Sequence, residues 1–187
     1  MSKFNELMAN LFAKAKEKPN SGLAPQGCKP KGRFVVEHYR KGVLLDTYEF
    51  PNDVTNEGKN TWLDVMFNGG TQIPNNSWYI ALINNSGFSA LAAADTMASH
   101  AGWAEATGYS QSTRVAWGSG AAASQSVTNA SPAVFDMNAT ATIYGIFVTS
   151  GSAKSGTSGK LWATAGFTSP VPVVNGDQLK VTYTVNS

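Results

Sequence analysis

The chain has 187 residues, of which 42% are hydrophobic and only 14% are charged. Globular proteins usually carry about 25% charged residues, so we expect a surface that is suited to contact with other proteins. The length favours one ordinary domain with an extended arm over two very small domains. Because Cys28 is the single cysteine, an internal disulfide is excluded, and we expect this thiol to be inert.

The net charge of +2 is distributed unevenly along the chain. Residues 1–41 hold nine basic and three acidic side chains, a net charge of +6, whereas the remainder holds five basic and nine acidic ones, a net charge of −4. This asymmetry indicates that the two parts of the chain face different surroundings. A basic tail that is simply solvated is the alternative interpretation.

Residues 2–17 are predicted to form an amphipathic helix capped by Ser2. The apolar residues of one face recur at helical spacing, and these are Phe4, Leu7, Met8, Leu11 and Phe12. A helix of about 16 residues is marginal alone, so its stability must come from packing that face on something else.

Residues 18–32 contain three prolines and three glycines and are predicted to be a linker. About 15 extended residues reach roughly 45 Å, far enough to cross to an adjacent subunit. We therefore assign residues 1–32 to an arm that docks on a neighbouring subunit, with docking on its own domain as the alternative. No signal-peptide core or membrane-length apolar stretch is found, so we expect synthesis in the cytoplasm and no membrane contact.

From Arg33 onward the hydrophobic period changes to two. A β-hairpin is predicted at 34–50 around the turn at 40–42, followed by a helix at 55–67 that Thr55 caps. A short helix at 89–97 is also expected. Further strands are predicted at 78–83, 126–128, 133–136, 141–148, 160–165, 172–174 and 178–185.

These elements predict a mainly β fold with one body over residues 33–187. We expect a single antiparallel β-sandwich, jelly-roll or immunoglobulin-like, with one or two short helices and the N-terminal helical arm.

The sequence offers few groups for catalysis or metal binding. His38 is expected on the surface of a strand and His100 in a loop, and neither has a second histidine at ligand spacing. No nucleophile elbow or phosphate-binding loop occurs. We therefore predict a protein that is not an enzyme and that uses no cofactor or metal.

Five tryptophans could serve as core residues or as a platform for a sugar ring. Trp78 and Trp162 fall within predicted strands and are assigned to the core. Trp103, Tyr109 and Trp117 lie in a weakly patterned stretch, so they are the candidates for loop contact with a ligand or partner, with core or interface packing as the alternative.

Several segments together resemble a group of small virion structural proteins of tailed bacteriophages and prophages. These are YEFPN at 48–52, VTNEG at 54–58, WYIAL at 78–82, ADTMASHAGW at 94–103, IYGIF at 143–147 and VNGDQL at 174–179. The resemblance covers about residues 33–187 and implies a structural part of the phage particle. It transfers no catalytic residue, and the arm lies outside it.

Three functions fit these observations. The first is a capsid decoration or cement protein that is anchored through its arm to the major capsid protein. The second is a tail or neck subunit that anchors a fibre or contacts a receptor. The third, a carbohydrate-binding module, is disfavoured because neither a secretion signal nor a catalytic partner domain is found. We expect a virion location, other virion proteins as partners and homo-oligomerisation. Nucleic acid is disfavoured because the arm's lysines are spread along a linker.

Overall fold

The computed structural model describes residues 29–187. The predicted helix at 2–17 and most of the predicted linker lie outside the described residues. The described part contains ten strands, all paired antiparallel, with one α helix and one short 3-10 turn at Asn75–Ser77. The mainly β prediction is confirmed.

The strands are β1 Lys31–Arg40, β2 Val43–Val54, β3 Tyr79–Asn84, β4 Glu105–Ala106, β5 Val115–Ala116, β6 Ser126–Thr128, β7 Ala133–Asp136, β8 Ala141–Thr149, β9 Leu161–Val173 and β10 Asp177–Asn186. The helix, α1, spans Asn56–Phe67. In the sheet the strand order is β4-β3-β8-β9-β2-β1-β10-β6, with β5 also paired to β3 and β7 to β10.

The β1–β2 hairpin is confirmed, and β1 begins two residues before the predicted body, at Lys31. Lys41 and Gly42 connect the strands with φ of 51° and 78°. Two consecutive residues in the left-handed region form the turn whose twist matches a two-residue hairpin. One irregularity interrupts the pairing, because His38 pairs with Asp46 while Tyr39 pairs with Leu44. Leu45 is therefore an extra residue in β2 and forms a bulge.

The sheet curls at the contact between β2 and β9. These two strands pair only through Asp53 with Thr164 and Val54 with Ala163. Outside these two pairs, β2 pairs only with β1 and β9 pairs only with β8, so the two strands separate. Side chains from both halves nevertheless share one hydrophobic core, and Phe50 of β2 stacks on Phe167 of β9 at a centroid distance of 4.0 Å.

Helix α1 confirms the predicted cap and position. The Thr55 hydroxyl accepts a hydrogen bond from the Gly58 amide at 3.0 Å and donates one to the Leu161 carbonyl at 2.5 Å. Glu57, in the first turn, accepts a hydrogen bond from the Leu161 amide at 2.8 Å. The start of α1 is therefore fixed on β9, and a side chain at Gly58 would meet the Trp162 carbonyl oxygen at 2.3 Å.

Two local predictions were wrong. Residues 89–97 form turns instead of a helix, because the Asp95 carboxylate accepts hydrogen bonds from the Ala92 amide and from the Trp103 indole. Met97 and Trp103 from this region cover the outer face of β3 and β8 in a second hydrophobic cluster. The strands predicted at 160–165 and 172–174 are one strand, β9, whose pairing with β8 is interrupted between Gly166 and Val171.

Candidate interaction surfaces

The arm residues predicted to dock, Phe4, Leu7, Met8, Leu11 and Phe12, lie outside residues 29–187. The loop aromatics Trp103, Tyr109 and Trp117 lie inside, with exposed fractions of only 4%, 1% and 8%. The Trp103 indole donates to Asp95 at 2.9 Å, and the Trp117 indole donates to Asn129 at 2.8 Å. Their burial favours core packing over loop contact, and it removes the flat exposed rings that a sugar platform needs.

A buried ion pair organises the loop around these aromatics. The Arg114 guanidinium contacts the Glu105 carboxylate at 2.8 Å, and the two side chains are 1% and 4% exposed. Arg114 also donates to the carbonyls of Gly151 and Gly156 at 2.9 and 2.8 Å, while Glu105 accepts from the Ser155 amide at 2.7 Å. The long connection between β8 and β9 is thereby fixed to β4.

Lys154 makes a second contact between the β8–β9 connection and the loop that contains Tyr109. Its ammonium group donates to the Tyr109 carbonyl at 2.7 Å and lies 3.7 Å from the centre of the Tyr109 ring. Burial raises the pKa of Tyr109 beyond its usual range, with a smaller contribution from the nearby Glu105. The tyrosine is therefore neutral at physiological pH.

A second buried cluster lies at the hairpin end of the sheet, and His38 belongs to it. His38 was expected on the surface, but it is 4% exposed and its Nε2 lies 2.8 Å from Asp177. Asp177 also accepts hydrogen bonds from the Arg40 guanidinium at 2.7 and 2.9 Å and from the Val174 amide at 2.9 Å. The Arg40 hydrogen bonds hold the pKa of Asp177 well below its usual range.

The Asp177 cluster has a structural role in this arrangement. The Asp177 carboxylate links Arg40, at the end of β1, to the Val174 amide in the turn between β9 and β10. It is also the hydrogen-bond partner of the buried His38 imidazole. Both carboxylate oxygens are already occupied by protein donors. No signal in the sequence indicated this contact, since His38 and Asp177 lie 139 residues apart.

A cleft of about 830 Å³ is lined in part by the first residues that the structure describes. Its lining includes residues 29–31, Trp62 and Leu63 of α1, and Leu91. Its charged lining groups are Lys29, Lys31, Asp53 and Lys59. This lining offers contact area and positive charge for a bound chain segment.

Six of the seven large hydrophobic side chains that are exposed in the described residues fall into two groups. The α1 patch consists of Leu63, Met66 and Phe67, which are 44%, 59% and 78% exposed. The hairpin patch consists of Val43, Leu44 and Leu45, which are 63%, 47% and 49% exposed. Consecutive exposed apolar side chains are unfavourable in a free monomer, so both patches are candidate contact surfaces.

Within residues 29–187, no helix combines the length and the apolar character that crossing a bilayer requires. The same residues contain no cluster of three or more histidine, cysteine, aspartate or glutamate side chains that could hold a metal ion. Comparison with protein-family models finds no family that matches the chain, and a search of curated proteins finds no match either.

Proposed function

We propose that this chain is a non-enzymatic structural protein of a tailed-phage particle, and specifically a capsid decoration or cement protein. In this proposal the β body, a sandwich of jelly-roll or immunoglobulin-like type, sits on the shell. The N-terminal helical arm docks on a neighbouring subunit. The segment resemblance supports the phage particle, and the low charge content supports a protein that meets other proteins over much of its surface.

The assembly part of the proposal is supported by two exposed apolar patches that lie on rigid elements of the fold. The α1 patch and the hairpin patch both belong to elements fixed by buried polar contacts, through Thr55 for α1 and through Asp177 for the hairpin. Interfaces gain affinity when their contact groups are held in place before binding. Two such patches on one body suit a subunit that contacts more than one neighbour.

A tail or neck subunit is the second candidate, and the same two patches support it. The two candidates differ in copy number, since a decoration protein covers the whole shell while a tail or neck protein occupies a ring of few copies. In both, the partners are other virion proteins, the chain forms a homo-oligomer, and synthesis takes place in the host cytoplasm.

The arm is tested by changing its apolar face within the full chain. Leu7→Ser combined with Leu11→Ser removes two of the five predicted docking side chains, and truncation of residues 1–20 removes them all. We expect both variants to keep the thermal unfolding transition of the β body and to be lost from purified particles. Lys14→Ser is the control, because it changes the polar face of the same predicted helix. Full occupancy of either apolar variant in particles would refute arm docking.

A further inference from the structure

We infer that Asn68 is a site of spontaneous deamidation in the folded protein, and that its conversion to a carboxylate loosens the last turn of α1. Asparagine is among the thermally labile residues. The reaction needs only water, so it does not depend on the proposed function. It changes the end of the helix that carries the α1 patch.

The reaction joins a backbone nitrogen to the side chain of the preceding residue. The Gly69 nitrogen attacks the Asn68 Cγ, and the bond from Cγ to the side-chain nitrogen breaks. That nitrogen leaves as ammonia with the proton that the Gly69 nitrogen gives up. Water then opens the cyclic imide at one of its carbonyls, which gives an aspartyl or an iso-aspartyl residue at position 68. Glycine favours the attack because it has no Cβ to block the approach.

The sequence contains two asparagines that are followed directly by glycine, Asn68 before Gly69 and Asn175 before Gly176. The local sequence does not distinguish the two sites, since each asparagine also follows a large apolar residue. Both pairs are exposed in the structure. A difference between their rates therefore comes from the hydrogen bonds that hold each backbone segment.

The backbone around Asn175 is held on both sides. The Gly176 amide, which contains the attacking nitrogen, donates to the Met137 carbonyl at 2.8 Å. The Asp177 amide donates to the Val174 carbonyl at 3.0 Å, and the Val174 amide donates to the buried Asp177 carboxylate at 2.9 Å. Ring closure rotates the peptide group that follows Asn175, so it requires this turn to open. The fold therefore protects Asn175.

The backbone around Asn68 is held more weakly. The Asn68 and Gly70 amides donate to the same Asp64 carbonyl, at 3.0 and 2.9 Å, but the Gly69 amide between them has no acceptor among the described residues. The backbone amides of residues 71–73 have no acceptor there either. Rotation of the peptide group that follows Asn68 displaces the Gly70 hydrogen bond at the end of a helix, where local opening costs little free energy.

Deamidation changes the charge at the end of α1. The Asn68 side chain donates a hydrogen bond to the Asp64 carboxylate at 3.4 Å. The product lacks this donor and places a second negative charge four residues after Asp64, which is unfavourable on a helix. A carboxylate at the C-terminal end also opposes the helix dipole, and no basic residue in the last turn offsets it. Met66 and Phe67 of the α1 patch lie in this turn, so they lose their fixed position.

The site is tested by peptide mapping with mass spectrometry on the full wild-type chain, sampled during incubation in mildly alkaline buffer. Trypsin places Asn68 in the peptide of residues 60–114 and Asn175 in that of residues 161–180, and fragmentation assigns the mass change to one residue. We expect Asn68 to convert at least about tenfold faster than Asn175, because the Asn175 turn must break more hydrogen bonds to open.

The same incubation in urea is the control, since only the fold distinguishes the two sites. The difference between Asn68 and Asn175 should largely disappear in the unfolded chain. Equal rates in the folded protein would overturn the inference, as would a difference of the same size in urea. No conversion of Asn68 in the folded protein, over a time in which the unfolded chain converts, would also overturn it.

The effect on α1 is tested by amide hydrogen exchange with two variants. Asn68→Asp introduces the carboxylate of the aspartyl product, and Asn68→Ser removes the amide without adding charge. We expect exchange in the last turn of α1 to be about two- to tenfold faster in Asn68→Asp than in Asn68→Ser. Exchange in Asn68→Asp that equals the wild type would refute the loosening of α1. Equal exchange in the two variants would refute the charge as its cause.

Discussion

The buried pair of Arg114 and Glu105 gives the most stringent prediction about the body. Glu105→Ala removes three contacts to the guanidinium, at 2.8, 3.1 and 3.2 Å, and leaves the charge with two backbone carbonyls. Breaking a buried pair by removing one partner costs about 3–5 kcal/mol, because the remaining charge stays out of water. For a domain of this size, about 2–4 °C per kcal/mol predicts a fall in Tm of about 6–20 °C.

Replacing both Glu105 and Arg114 distinguishes the cost of burying an unpaired charge from the cost of lost packing. Glu105→Leu combined with Arg114→Met removes both charges and keeps similar volume, so its loss should be smaller than that of either single change. Arg33→Met is the control, because the Arg33–Glu49 pair is 57% exposed on both sides and should contribute about 0–1 kcal/mol. Urea unfolding followed by tryptophan fluorescence measures the wild type, Glu105→Ala, the double variant, its two single variants and Arg33→Met. Additive losses in the double variant, or a Glu105→Ala loss equal to that of Arg33→Met, would refute the reasoning.

Three further predictions concern other parts of the molecule. Because Arg40 lowers the pKa of Asp177 in the folded state, the carboxylate stabilises the fold above its ordinary pKa near 4. That stability should be lost as the pH falls below this value. In urea unfolding midpoints measured against pH, Asp177→Asn should therefore reduce the fall in the midpoint at acid pH. A fall as large as that of the wild type would contradict the assignment. Gly58→Ala should cost on the order of 1–3 kcal/mol, because the new Cβ meets a β9 carbonyl oxygen at 2.3 Å. Gly120→Ala, with its nearest neighbour at 3.6 Å, is the matched control, and equal Tm values would refute the packing argument. Phe67→Ser should change stability by less than about 0.5 kcal/mol, since the side chain is 78% exposed, yet it should lower incorporation into particles; full incorporation would exclude the α1 patch from the contact.

Local signals in the sequence predicted the elements that depend on neighbouring residues. The turn at Lys41 and Gly42 and the cap at Thr55 are both settled within a few residues, and both were predicted correctly. The helix predicted at 89–97 failed because its apolar residues, including Met97, cover a distant part of the sheet instead of lining one helix face.

The buried polar clusters could not be predicted, because each joins residues that are far apart in the chain. Asp177 meets His38 and Arg40 only after β10 pairs with β1. Arg114 carried one usable signal, since it is the only basic residue between Lys59 and Lys154 in a weakly patterned stretch. An isolated charge of that kind suggests a specific partner, but the sequence alone does not name Glu105.

The apolar residues of α1 show the limit of hydrophobic patterns. Leu63 and Met66 are apolar residues of the helix predicted at 55–67, yet they are exposed and do not belong to either core cluster. A hydrophobic pattern indicates burial against something, and it does not distinguish the chain's own core from a partner.

The most direct test of the proposed function is the stoichiometry of this protein relative to the major shell protein in purified phage particles. Quantitative mass spectrometry of particles separated from free protein measures the ratio. A decoration protein predicts a ratio near one. A few to a few tens of copies would move the protein to the portal, neck or tail, and its absence from purified particles would contradict the proposed virion role.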